Sequence, residues 1–153
     1  MAQNLPLQHK QQLYFGYCLP ACTQMVLEYL GIFRSQDELA RLMGVVIPIG
    51  VPSSRVKKLQ TFGLTVIYQN GTIDDIRHWL EQDMPVIIFL LTSELPYWQG
   101  EELQHTVIVV GMDKETVYLL DPALKSHPIP TSIGDFWLAW DEMDNRYAVL
   151  TRK

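Results

Sequence analysis

The first sustained hydrophobic period in the chain begins at Cys18. Leu19, Cys22, Met25, Val26, Tyr29 and Leu30 share one helical face, with Thr23, Gln24 and Glu28 opposite. This spacing predicts a helix over residues 18–30, stopped by Gly31. Pro20 belongs in its first turn, where a missing N–H leaves no bond unmade. Cys18 therefore lies within about one residue of the helix start. A short second helix begins at Ser35, with Glu38 in the capping-box position. A third begins at Ser53 or Ser54 and turns Val56, Leu59 and Phe62 inward. Thr72 caps a fourth over 72–82, with Asp74 and Asp75 near its positive end.

The period then shortens. Residues 64–68 read as a strand between Gly63 and the Asn70-Gly71 turn signal. Residues 85–91 form a continuous apolar run, the pattern of a central strand buried on both faces. Residues 105–111 and 116–121 are β-rich and joined by a hairpin connection, Met112-Asp113-Lys114-Glu115. A short helix over 132–140 and a last strand over 147–151 follow. Helices early and strands late predict an α+β fold, an N-terminal helical layer packed on an antiparallel sheet. With no repeat or linker in 153 residues, one domain over 1–153 is expected.

Composition narrows the function classes. The chain is 48% hydrophobic and 19% charged, which suits an ordinary globular core. Its formal charge of −5, with basic residues scattered, argues against nucleic acid as a partner. The polar start of the chain is not a signal peptide, and the run 86–91 is far short of a membrane span. Two cysteines, Cys18 and Cys22, fit a reducing compartment, so a cytoplasmic protein without membrane insertion is expected. Four residues apart at a helix start, they are badly placed for a disulfide.

A thiol becomes a nucleophile when a helix N-terminus or an imidazolium stabilises its thiolate. Cys18 has the first by position. His105 is the best of four histidines to supply the second, because it opens a strand apolar on both sides and needs a polar partner there. Asp121 can be that partner. If the connection is odd, residues 111–115, then Val110 faces Thr116 and His105 faces Asp121 on one side of the sheet. An even connection would put them on opposite faces. Gln12, six residues before Cys18, offers a neutral donor for an oxyanion. Tyr97 and Trp98 lie in the loop leading to His105 and read as a substrate wall or lid. His9, His78 and His127 read as structural. A zinc site of Cys18, Cys22, His105 and His127 lacks the paired spacing of such sites, so no metal or cofactor is expected.

Gln12-Leu13-Tyr14-Phe15-Gly16-Tyr17-Cys18-Leu19-Pro20-Ala21-Cys22-Thr23-Gln24-Met25 resembles the nucleophile motif of the bacteriocin-processing, double-glycine leader peptidases. These are papain-like cysteine peptidases, often fused to peptide-exporting ABC transporters. The stretch from His105 to Gly111 resembles the family's histidine strand, and Val117-Tyr118-Leu119-Leu120-Asp121-Pro122-Ala123 its aspartate strand. Pro85-Val86-Ile87-Ile88 and the Phe136-x-x-x-Trp140 segment sit where the family has similar features. The resemblance spans nearly the whole chain. It implies a papain-like fold, nucleophile Cys18, base His105, orienting Asp121 and oxyanion donor Gln12. It also implies a leader-bearing peptide as substrate, processed without a transporter segment. Two positions depart from the family: Tyr17 replaces an acidic residue, and Leu19 replaces a glycine beside the thiol, where it would touch substrate. Other readings use the same residues: a peptide-binding module that does not cut, or another thiol acyltransferase or isopeptidase. Beyond a peptide or protein substrate, a regulatory partner or a homo-oligomer are the partner classes considered.

Overall fold

Helix α1 forms at Cys18–Tyr29, where the amphipathic period begins. A computed structural model of the protein describes residues 3–124 and 127–153. Helix α2 spans Gln36–Met43 and is capped by the Ser35 hydroxyl, which accepts from the Glu38 N–H. Helix α3, Ile73–Glu81, has the full capping box, with Thr72 and Asp75 each accepting the other's main-chain N–H. The segment Ser53–Phe62 is a 3₁₀ helix rather than the α-helix the pattern suggested. Its inward residues, Val56, Leu59 and Phe62, recur every three positions, which matches the tighter three-residue turn.

The described residues form six antiparallel strands: β1 Leu64–Asn70, β2 Val86–Leu91, β3 Gln104–Met112, β4 Thr116–Leu120, β5 Ile129–Ser132 and β6 Arg146–Arg152. Helix α4, Ile133–Asp141, lies between the last two and is capped by Ser132. The strands stand in the order β1-β6-β2-β3-β4-β5. β2 is thus central, hydrogen-bonded to β3 and β6, as its unbroken apolar run predicted. β5 was not expected. It is short, contains Pro130, and sits at the sheet edge, where a missing N–H breaks no ladder.

The sheet is buried on both faces. Ile87 and Phe89 of β2, with Ile108 and Leu120, pack beneath Leu19, Met25, Val26, Leu39 and Leu59 from the N-terminal helical layer. Ile88 and Leu90, with Val107 and Val109, pack against Ile76, Phe136 and Trp140 from α3 and α4. The expected helical layer is present, and a second layer covers the opposite face. Each large side chain so buried contributes about 1.5–3 kcal/mol. The Trp140 indole meets its polar need by donating to the Arg146 carbonyl at 2.9 Å.

The β3–β4 pairing decides where His105 and Asp121 point. Met112 pairs with Val117 and Gly111 with Tyr118, so the connection is even, not odd. Val110 is then left out of the ladder as a bulge, and Val109 pairs with Leu119. The extra residue reverses the parity that the even turn imposed. His105 therefore shares a face with Asp121, displaced by two residues instead of directly opposite. The polypeptide before α1 runs along this bulge, and the Leu5 N–H donates to the unpaired Val110 carbonyl at 2.8 Å. A side chain on Gly111 would collide with Asn4 of the same arm.

Candidate active site

Cys18 is the first residue of α1. Tyr17 at the N-cap makes no side-chain bond to the first turn, so no capping group competes for the N–H donors there. Among the described residues, α2, α3 and α4 each carry an acid in their first turn and α1 carries none. An acid there would repel a thiolate. Gly16, two residues earlier, has φ +90°, and a Cβ on it would meet main-chain atoms of Pro48 and Gly50. Its missing side chain lets that loop close against the segment leading into Cys18.

Cys18 and His105 border the same cleft, and their side chains shift each other's titration. His105 donates from Nε2 to Asp121 Oδ1 at 2.7 Å, which leaves Nδ1 for the sulfur. Burial pushes the Cys18 thiol up. The hydrogen bond and charge of His105, then the hydroxyl and main-chain N–H of Thr106, outweigh it and hold the thiol below its ordinary value. Burial likewise pushes His105 down, but bonds to Asp121 and Cys18 raise it to about 9. Asp121 is pushed up by burial and held below the usual carboxylate range mainly by His105. These shifts favour the ionised Cys18 thiol and the protonated His105 ring. Thr106 was not singled out beforehand; its position next to His105 was the only signal.

Gln12 lies on the same cleft, which holds about 220 Å³ and is bordered also by Cys18, Leu19, Trp98, His105 and Thr106. Its Nε2 donates to the Tyr14 carbonyl at 3.0 Å, and its buried Oε1 has no partner among the described residues. Main-chain Gln12 is anchored separately, its N–H donating to the Pro122 carbonyl at 2.7 Å. Leu19 borders the cleft but is only 3% exposed and belongs to the core beneath α1. It forms a wall and does not project into the opening. Tyr17 turns away, its hydroxyl donating to Asp37 at 2.7 Å.

Tyr97 and Trp98 are brought to Asp121. The Tyr97 hydroxyl and the Trp98 indole N–H both donate to Oδ2, at 2.8 and 3.0 Å. Trp98 also borders the cleft and meets the His105 ring edge-on, with centroids 5.1 Å apart. Tyr97 does not border it. His9, read as structural, donates from its ring to the Asp121 main-chain carbonyl at 2.8 Å. Cys22 is fully buried, and its thiol donates to the Thr106 carbonyl at 3.4 Å. Both cysteines are free.

Among the described residues lining the cleft, none is Asp, Glu, Lys or Arg. Its rim is apolar, with Phe15 and Ile49 at 75% and 85% exposure. No helix among the described residues is long and apolar enough to cross a membrane.

Three solved structures share this architecture. A C39-like peptidase from Bacillus anthracis superposes with a TM-score of 0.80 at 17% identity, covering 99% of both chains. The peptidase domain of Streptococcus ComA, a bifunctional ABC transporter of a quorum-sensing pathway, gives 0.75 at 18%, covering 96% of this chain and 99% of that one. A double-glycine-motif protease from an AMS/PCAT transporter, solved with its leader peptide, gives 0.76 at 16%, covering 100% and 96%. No curated protein matches the chain by sequence. At these identities the structures establish the fold, which is that of C39 papain-like peptidase domains. The family model described as Peptidase_C39 like family matches residues 3–148, and the chain belongs to that family.

Proposed function

We propose that this chain is a cysteine peptidase in which Cys18 attacks a peptide carbonyl. The observation that carries the reading is a thiol at a helix start, Cys18, sharing one cleft with an imidazole, His105, that is bonded to the buried Asp121 carboxylate. The thiolate adds to the carbonyl carbon and the oxyanion forms beside the helix start. The Cys18 N–H and the second Nε2 hydrogen of Gln12 are suited to receive it. As the C–N bond breaks, His105 delivers its proton to the leaving amine and an acyl-enzyme remains. Water, deprotonated by His105, then releases the acid and restores the thiol. Asp121 keeps the imidazole oriented throughout.

Apart from Cys18 and His105, the described lining carries no ionisable side chain, and with the apolar rim this favours a substrate with neutral residues at the scissile bond. Family membership and the leader-bound protease among the structural neighbours support a leader-bearing peptide as that substrate. A working thiolate suits a reducing, cytoplasmic setting. A binding module that does not cut would have no use for a depressed thiol, and an acyltransferase would differ only in its acceptor.

The test is alkylation of both cysteines by iodoacetamide from about pH 5 to about pH 9, read by site-resolved mass spectrometry. Cys18 should label selectively well below pH 8, and His105→Ala should abolish that advantage. Equal, slow labelling of Cys18 and Cys22 in the wild type would overturn the proposal.

A further inference from the structure

A carboxylate offers about four acceptor positions. On Asp121 all four are filled by protein. Oδ1 accepts from His105 at 2.7 Å and from the Ala123 N–H at 2.9 Å. Oδ2 accepts from Tyr97 at 2.8 Å and Trp98 at 3.0 Å. The group is 1% exposed, so water does not substitute for a missing donor. Triad function alone requires only the first of these bonds.

The segment carrying Tyr97 and Trp98 is built to present them. Thr92, fully buried, closes its base: the N–H donates to the Leu103 carbonyl at 2.9 Å. The Thr92 hydroxyl donates to the Glu101 carbonyl at 2.6 Å and accepts from the Leu103 N–H at 2.8 Å. Leu95 is fully buried in the core facing α4 and pins the middle of the loop. Such a segment is a fixed wall rather than a hinged lid, and its two donors converge on one oxygen.

We propose that Tyr97 and Trp98 are positioning residues that lock Asp121 Oδ2, so that Oδ1 stays ionised and aimed at His105 Nε2. This rests on the peptidase reading above and adds a second tier to its triad. With either donor removed, Oδ2 becomes a buried acceptor short of a partner. The carboxyl then gains proton affinity or rotates, and His105 loses its orientation. Among the described residues, the titratable groups facing Asp121 are His105 from β3, Tyr97 from the loop, Cys22 from α1, and His9 at its main-chain carbonyl. Cys22 is fully buried and its thiol is pushed well up, so it stays neutral near Asp121.

The experiment uses Tyr97→Phe, which deletes only a hydroxyl, and Trp98→Phe as a second variant, each checked by thermal melting. Two quantities are read: the Asp121 carboxyl titration by carbon NMR, and the rate of Cys18 alkylation near pH 6. The proposal expects the carboxyl to titrate about one unit higher and alkylation to slow about tenfold in each variant. In an Asp121→Ala background, Tyr97→Phe should then have no further effect, because the tyrosine acts only through that carboxylate. An unchanged carboxyl titration, or equal slowing with and without Asp121, overturns the clamp while a fast, His105-dependent wild-type Cys18 leaves the peptidase reading standing. A wild-type Cys18 that reacts as an ordinary thiol sinks both.

Discussion

Cys18 and Cys22 stand one turn apart on α1, the first partly exposed and the second fully buried. Burial pushes both thiols up. Cys18 also faces His105 and Thr106, and their donors carry it below its ordinary value. The electrostatic neighbours of Cys22 are Cys18 and Asp121, which add negative charge and raise it further. The same residue type on the same helix is the proposed nucleophile at one position and core packing one turn on. A single turn of helix separates the sheet's open end, where β4 has stopped and side chains converge, from its closed interior.

The comparison breaks most visibly by deletion. Cys18→Ala should lower peptide hydrolysis about a thousandfold or more, with the fold and melting temperature essentially kept. Retention of cleavage by the alanine variant, in protein purified free of host peptidases, would remove the Cys18 mechanism.

A titration sharpens it next. The productive pair needs a Cys18 thiolate, present above its depressed pKa, and a protonated His105, present below about 9. Hydrolysis should therefore rise at a pH below the ordinary thiol range and fall as pH passes about 9. The profile of kcat/KM reads these groups in the free enzyme. A single rise near the pKa of a free thiol, with no alkaline fall, would mean that Cys18 ionises as an unpaired group does.

Much of this contrast is legible in the sequence, because helix starts announce themselves. Ser35, Thr72 and Ser132 stand at the predicted helix starts and cap them, and Pro20 marks the first turn that holds Cys18. The apolar run of β2 likewise declared a central strand. What stayed hidden depends on contacts between distant segments. Counting residues around the hairpin made the His105–Asp121 pairing conditional on an odd turn. The turn is even, and the Val110 bulge, bonded to Leu5 from the far end of the chain, restores the shared face. Tyr97 and Trp98 could be placed near His105, but their direction toward Asp121 is set by a loop that Thr92 closes. His9 lies in an arm without periodicity, so nothing local linked it to Asp121. β5 is only four residues long and contains Pro130, so it offers no strand period to read, although an edge strand tolerates the proline.

The smallest expected effect is the most discriminating one. Cys22→Ala removes a fully buried sulfur whose weak bond to the Thr106 carbonyl contributes little. The loss is mainly packing, about 1–2 kcal/mol, which in a chain of this size lowers the melting temperature by about 2–8 °C. Because the Cys22 thiol stays neutral across the working range, its removal changes no charge near Cys18. The pH profile of the variant should overlay that of the wild type, and kcat/KM should stay within about threefold. A displaced profile would make the two thiols a coupled pair, and the division between a reactive turn and an inert one would fall with it.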